Sequence, residues 1–169
     1  MAARFAVDFL DLYAEDFDPR MRPADEPDWA DPGKEYPPEV RRHMRRIEEA
    51  DHLVVVFPVW WSAPPAILKG WIERTWTHGF AYTRSGSDLT VRTMTWLGLA
   101  GTSQVAFVKA GLDQHLDRQL RVEISEFCRI PEARTRFVYD SVDAADPHVR
   151  AVIWRTVDGV IDEVIAGAS

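Results

Sequence analysis

Cysteine is almost missing from this sequence, with Cys128 the only one in 169 residues. A single thiol forms no internal disulfide, and neither a CxxC pair nor an HExxH motif occurs, which excludes a disulfide scaffold and the commonest zinc sites. Excess positive charge is lacking as well. Twenty Lys and Arg stand against 27 Asp and Glu, giving a formal net charge of -7. A general nucleic-acid binder neutralises phosphates with Lys and Arg, so no nucleic-acid partner is expected. No apolar run approaches the roughly 20 residues of a membrane span, so the chain does not read as a membrane protein. The stretch MAARFAVDFLDLYAEDFDPR turns acidic too early for a secretory signal, and with the lone thiol it points to the cytoplasm. The glycine-rich dinucleotide fingerprint and the P-loop are both missing. Ser62 lacks the flanking glycines of a nucleophile elbow. The five histidines, His43, His52, His78, His115 and His148, are scattered and read as surface or structural residues.

What is present fits a single domain spanning 1–169. RFAVDFLDLY, Arg4–Tyr13, alternates partially and predicts a short strand. Residues 15–38 are rich in Pro, Asp and Glu without periodicity, which predicts a long surface loop. PPEVRRHMRRIEEAD places Val40, Met44 and Ile47 on one face and predicts an amphipathic helix with a basic outer side. HLVVVFPV, His52–Val59, is a continuous β-branched run, as in a strand buried on both faces of a parallel sheet. After Pro65, the apolar residues Ile67, Leu68, Trp71, Ile72 and Trp76 form a helical stripe, with Lys69, Glu73 and Arg74 assigned to the opposite side. FAYT predicts a small edge strand. LTVRTMTWLGLAG, Leu89–Gly101, and ARTRFVYDSV predict two further strands. Between them, Leu116, Leu120, Ile124 and Cys128 step by four along a helix, where Cys128 reads as inert core. Asp146 caps a last helix that has Pro147 at its first position and buries Val149, Ile153, Val157, Val160, Ile161 and Val164.

Strands alternating with helices predict an α/β fold with a parallel sheet covered on both faces. Ligands in such folds sit beyond the carboxyl ends of the strands. Two segments fall there. FPVWWSAPP carries Trp60 and Trp61, two of the chain's seven tryptophans. LGLAGTSQ offers small residues where a backbone can approach a ligand closely. If the strand persisted, successive side chains would alternate, and Trp60 and Trp61 would face opposite layers. Two readings stay open: both indoles are core or interface aromatics, or they border a crevice for a flat ring.

DLYAEDFDP, FPVWWSAPPAILKGWIERTWTHGFAY and GLAGTSQVAFVKAGL resemble the NAD(P)H:quinone oxidoreductases of flavodoxin-like fold, a family that includes quinone reductases and ancillary proteins of potassium efflux. The likeness runs from about Phe5 to the last helix and is most specific over Phe57–Gly70. It implies a flavodoxin-like parallel sheet flanked by helices, non-covalent FMN or FAD, and hydride transfer from NAD(P)H through the flavin to a quinone or similar electrophile. It implies that Pro58, Val59, Trp60 and Trp61, with Ser62 beside them, line the isoalloxazine, and that Ala100, Gly101 and Thr102 hold its pyrimidine side. It also implies a homodimer whose partner completes the site, with the 15–38 loop a candidate contributor.

Three departures accompany the resemblance. The family's second turn reads T-T-G-G, with a Tyr and a His following; LAGT, Phe107 and Asp113 stand in those places here. Ser62 replaces a residue that is often aromatic. The family's first strand, phosphate loop and helix have no counterpart before the DLY stretch, so an N-terminally truncated version of the fold is expected, with the first βα unit missing. The departures support an alternative function, a catalytically weak regulatory or interaction subunit, for example of a transporter.

Overall fold

The computed structural model describes residues 6–83, 89–142 and 145–167. Three parallel strands form one sheet in the order β1 (His52–Pro58), β2 (Thr93–Leu99), β3 (Glu132–Val138). The register pairs His52 with Thr93 and Pro58 with Leu99, then Thr93 with Glu132 and Leu99 with Val138. β2 is central and buried along nearly its whole length, as a parallel strand covered on both faces must be. Gly98 makes that packing possible, because a Cβ there would meet the Phe137 ring at 2.9 Å and the Val59 side chain at 3.1 Å.

Helices cover the two faces unequally. α1 (Pro38–Glu48), α2 (Ala66–Thr75) and α4 (Leu112–Asp117), which runs on as a π-helix over Arg118–Glu126, supply the main core. Ile47, Leu68, Trp71, Leu116 and Leu120 pack there with Phe57, Met94 and Trp96 of the sheet. α5 (Pro147–Gly167) covers the other face, where Val160 packs with Leu97 and Val138. The short α3 (Gln104–Lys109) follows β2 and buries Phe107 alone. Among the described residues no helix is long and apolar enough to cross a membrane.

Several expectations are corrected. The described part of Arg4–Tyr13 forms no strand. Its polar groups are satisfied elsewhere: Arg46 bonds Asp8 at 2.6 and 2.8 Å and the Phe9 carbonyl at 2.8 Å, while Asp11 accepts from the Tyr13 and Ala14 amides. FAYT is a turn in which Tyr82 makes only an isolated bridge to His78. The second and third strands are shorter than their patterns suggested. In α5, Val160 is buried as expected but Ile161 is half exposed. Asp146 does cap that helix, accepting from the His148 amide at 2.7 Å.

The stripe Leu116, Leu120, Ile124, Cys128 is broken by the π-helix. The Phe127 amide bonds the carbonyl of Val122, five residues back, and the Ile130 amide that of Ser125. The extra residue per turn brings Ser125 fully inward and leaves Ile124 half-buried at the edge of the core. Ser125 Oγ then accepts from the Trp96 indole at 2.9 Å and donates to the Leu120 carbonyl at 2.8 Å. Cys128 is buried, which pushes its thiol pKa up to about 12.

Residues 15–38 run over the surface as expected, as a strap anchored at a few buried residues. Phe17, Asp25 and Tyr36 are buried. A Cβ on Gly70 of α2 would lie 2.2 Å from the Pro19 carbonyl, so the strap crosses the helix in direct contact. Arg74 turns inward to meet it, against expectation. Its Nε and Nη2 donate to Asp25 at 2.8 and 3.2 Å, Nη1 to the Asp18 carbonyl at 2.6 Å, and Nη2 to Glu39 of α1 at 3.1 Å. Arg74 is 1% exposed and Asp25 0%. Removing one member of such a pair strands a buried charge. Arg74→Ala should therefore lower urea-denaturation stability by about 3–5 kcal/mol, and Arg74→Met with Asp25→Leu should recover most of it. A loss below about 1 kcal/mol, the range of an exposed pair, would contradict this reading.

Candidate functional site

β1 ends at Pro58, and the chain then reverses in two residues. The Trp60 amide donates to the Ala63 carbonyl at 3.0 Å, and the Ala63 amide returns the bond at 3.0 Å. The two residues between them, Trp61 and Ser62, have φ of 51° and 60°. Both lie in the left-handed region that glycine or asparagine adopts readily and tryptophan does not. The strand alternation expected for the indoles is therefore gone, and neither is core. Trp60 is 54% and Trp61 100% exposed. Pro64 and Pro65 behind the turn are buried and lead into α2.

The end of β2 lies alongside. The Val59 amide donates to the Leu99 carbonyl at 2.8 Å, which ties the start of the tryptophan turn to the start of the small-residue turn. Ala100 is buried, and its amide donates to Val138 at 2.7 Å. The Ala100 carbonyl accepts from the Ser141 amide and hydroxyl, and the Thr102 carbonyl from the Asp140 amide. These bonds fix the turn to the end of β3. Gly101, Thr102 and Ser103 are exposed, and the hydroxyl of Ser103 accepts from the Ala106 amide. Among the described residues, the amides of Gly101 through Val105 have no acceptor. Two exposed tryptophans thus follow β1, and a run of backbone donors without a described acceptor follows β2, at the same end of a parallel sheet.

Phe107 and Asp113 diverge. Phe107 is 1% exposed, with its ring centroid 5.1 Å from Phe137 and 5.6 Å from Tyr139. Asp113 is half-buried, and its Oδ1 is a buried atom with no partner. Tyr139, one residue beyond β3, is a further candidate that no sequence motif singles out. Its phenol is half-buried, and burial together with the charge of Asp113 raises its pKa, so it keeps its proton. Its position after a strand ending near two other strand ends was the available signal.

A second assembly of aromatics lies on the strap side. Trp29, 65% exposed, packs on His78 and Tyr82 at 5.1 and 6.2 Å, and Phe127, 61% exposed, packs on Tyr82 at 5.2 Å. The Tyr36 hydroxyl donates to the His78 carbonyl at 2.9 Å and anchors this patch from below.

A family model described as flavodoxin-like fold matches residues 1–154. An uncharacterized NAD(P)H oxidoreductase of Escherichia coli (strain K12), YcaK, is 38% identical over 142 residues, covering 84% of this chain and 71% of that protein. NAD(P)H dehydrogenase [quinone] 1 of Cavia porcellus is 52% identical over 46 residues, which are 27% of this chain and only 17% of that one. The solved NAD(P)H:quinone oxidoreductase from Methanothermobacter marburgensis superposes with a TM-score of 0.76 at 24% identity, over 86% of this chain and 74% of that one.

The Trp61–Ser62 turn predicts a stability response. Replacing the pair by Asn–Gly, the residues this two-residue turn favours, should raise stability by about 1 kcal/mol. Thermal unfolding would register it as a higher Tm. An unchanged or lower Tm would mean that the indoles contribute packing that their exposure does not suggest.

Proposed function

This chain belongs to the family of flavodoxin-like fold, and from that premise we propose that it is a flavin-dependent NAD(P)H oxidoreductase that reduces quinones or similar small electrophiles by two-electron hydride transfer. The observation that carries the reading is the strained, fully exposed Trp61 beside the available amides of Gly101–Val105. Conformational strain retained on an exposed side chain that does nothing for the core is strain kept for a ligand. The names of the relatives, an NAD(P)H oxidoreductase and a quinone dehydrogenase, point the same way.

The residues fit such a cofactor. When bound, FMN or FAD supplies the two-electron carrier between NAD(P)H and acceptor. Pro58, Val59, Trp60 and Trp61 offer the flat apolar wall for its ring, with the Ser62 hydroxyl at the edge. Ala100 positions the second turn, and the amides of Gly101 and Thr102 would hold the polar rim of such a ring, as fixed dipoles that favour negative charge without reorganising. Phe107 is buried against Phe137 and Tyr139 and has no ionisable proton to give. Tyr139, held protonated, is the phenol available at this end of the sheet, with Asp113 shaping its electrostatics.

A homodimer and a cytoplasmic location belong to the same proposal. The exposed Trp29–Tyr82–Phe127 patch supports the first, because exposed aromatics clustered on an anchored base mark interfaces. A reduced, buried Cys128 suits the second.

Titration of the purified chain with FMN and with FAD should quench tryptophan fluorescence saturably. Trp61→Ala should weaken binding about tenfold, equivalent to ~1.4 kcal/mol of ring stacking. Quinone-dependent NAD(P)H oxidation should follow flavin occupancy, and Tyr139→Phe should lower kcat with flavin affinity unchanged. A chain that binds neither flavin and oxidises no NAD(P)H in the presence of any quinone would overturn the proposal.

A further inference from the structure

Beyond β3 the chain turns across the end of β2. Asp140 takes a φ of 54°, in the left-handed region that aspartate enters more readily than most side chains. Its amide donates to the Thr102 carbonyl at 3.1 Å. Ser141 donates twice to the Ala100 carbonyl, from its amide at 3.1 Å and from its hydroxyl at 2.9 Å. Asp140 and Ser141 are thus clamped to the residues on either side of Gly101.

The side chain delivered by this clamp is Val142. A Cβ on Gly101 would lie 3.0 Å from Val142 Cγ2, so the valine sits against the Gly101 backbone, in space that a side chain there would narrow. Val142 is nevertheless 80% exposed and packs in none of the apolar clusters among the described residues. A scattered exposed valine needs no explanation. This one follows two clamped residues and lies on the glycine that opens the run of amides without a described acceptor. Its apolar surface stays open to whatever those amides bind. An amide facing water gains little by exchanging one partner for another. It gains more when an apolar neighbour helps the ligand to exclude water.

Resting on the flavin reading above, we propose that Val142 is a specificity residue of the strand-end site, and that it makes the Gly101 end of the donor run select the carbonyl edge of a flat ring over a phosphate. A ring offers apolar atoms beside its carbonyl. These cover the valine while the oxygen accepts from the amide. A phosphate is hydrated on every side and would shed that water against two methyl groups with nothing in return. Asp140 acts in the same direction. It is exposed and bonded through its amide to Thr102, so it sets a carboxylate on the loop that holds the valine, and like charges repel. Small residues and amides without a described acceptor give LAGTS the outline of a phosphate cradle, and the loop beyond β3 changes what that outline accepts.

The test titrates the purified full chain, Val142→Ala and Val142→Asp with riboflavin, FMN and FAD, following tryptophan quenching. Val142→Ala should weaken all three about fivefold, the scale of two partly covered methyl groups, and Val142→Asp at least about tenfold. Riboflavin carries no phosphate, so an equal loss on it ties the valine to the ring. Inorganic phosphate should not displace riboflavin from the native chain. The Tm of the unliganded variants should match that of the native chain, because the side chain is exposed. Unchanged affinity of Val142→Ala for all three ligands would overturn the proposal. So would a loss confined to FMN and FAD, which assigns the valine to the phosphate or the nucleotide tail, or displacement of riboflavin by phosphate. A lowered Tm of unliganded Val142→Ala would assign the residue to loop packing instead. A native chain that binds none of the three would remove the flavin reading and this inference together, whereas native binding with insensitive variants removes this inference alone.

Discussion

One guanidinium organises the half of the molecule that precedes the sheet. Arg74 is bonded at once to Asp25 of the strap, to the Asp18 backbone and to Glu39 of α1, and its Cζ lies over the Phe17 ring, 5.4 Å from the centroid. Burying a charge so fully is favourable only when its partners satisfy it geometrically, and here the fork of donors is filled from three directions. The consequences spread outward. Phe17, held under Arg74, packs edge-on against His43. The strap, fastened at Asp25, carries Trp29 onto His78 and Tyr82 and so builds the exposed aromatic patch. Without that fastening, a 24-residue stretch lacking any regular element beyond the short turn Pro23–Asp25 would have little to oppose its conformational entropy.

Local periodicity was readable wherever it decides structure locally. The runs at His52–Pro58 and Thr93–Leu99 became strands, and Val40, Met44 and Ile47 became the buried face of α1. What was not readable depended on partners distant in sequence. Arg74 occupies a polar position on a helical wheel, and nothing in its neighbourhood announces an aspartate 49 residues away. Arg4–Tyr13 has the composition of a strand, but a strand exists only through pairing, and its described part pairs with none of the three strands, the Phe9 carbonyl accepting from Arg46. The spacing of Leu116, Leu120, Ile124 and Cys128 fits an α-helix until one residue is added, after which a serine faces the core and bonds Trp96. For the candidate site, the adjacency of Pro58–Ser62 and Ala100–Thr102 followed from parallel strands ending together. The left-handed conformations of Trp61 and Ser62 did not, since no residue-level preference favours them.

The two turns beyond β1 and β2 are held by different bonds. The Trp60–Ala63 reversal closes on itself through its two backbone bonds, sits between Pro58 and the buried Pro64 and Pro65, and joins the sheet through the Val59 amide on the Leu99 carbonyl. The turn after β2 is instead tied to the chain beyond β3, through the Ala100 and Thr102 carbonyls. Because the Val59–Leu99 and Ala100–Val138 bonds extend the ladder by one residue past each strand, both turns start from the same level of the sheet, and their placement follows from the register of the strands and not from contacts between the turns themselves.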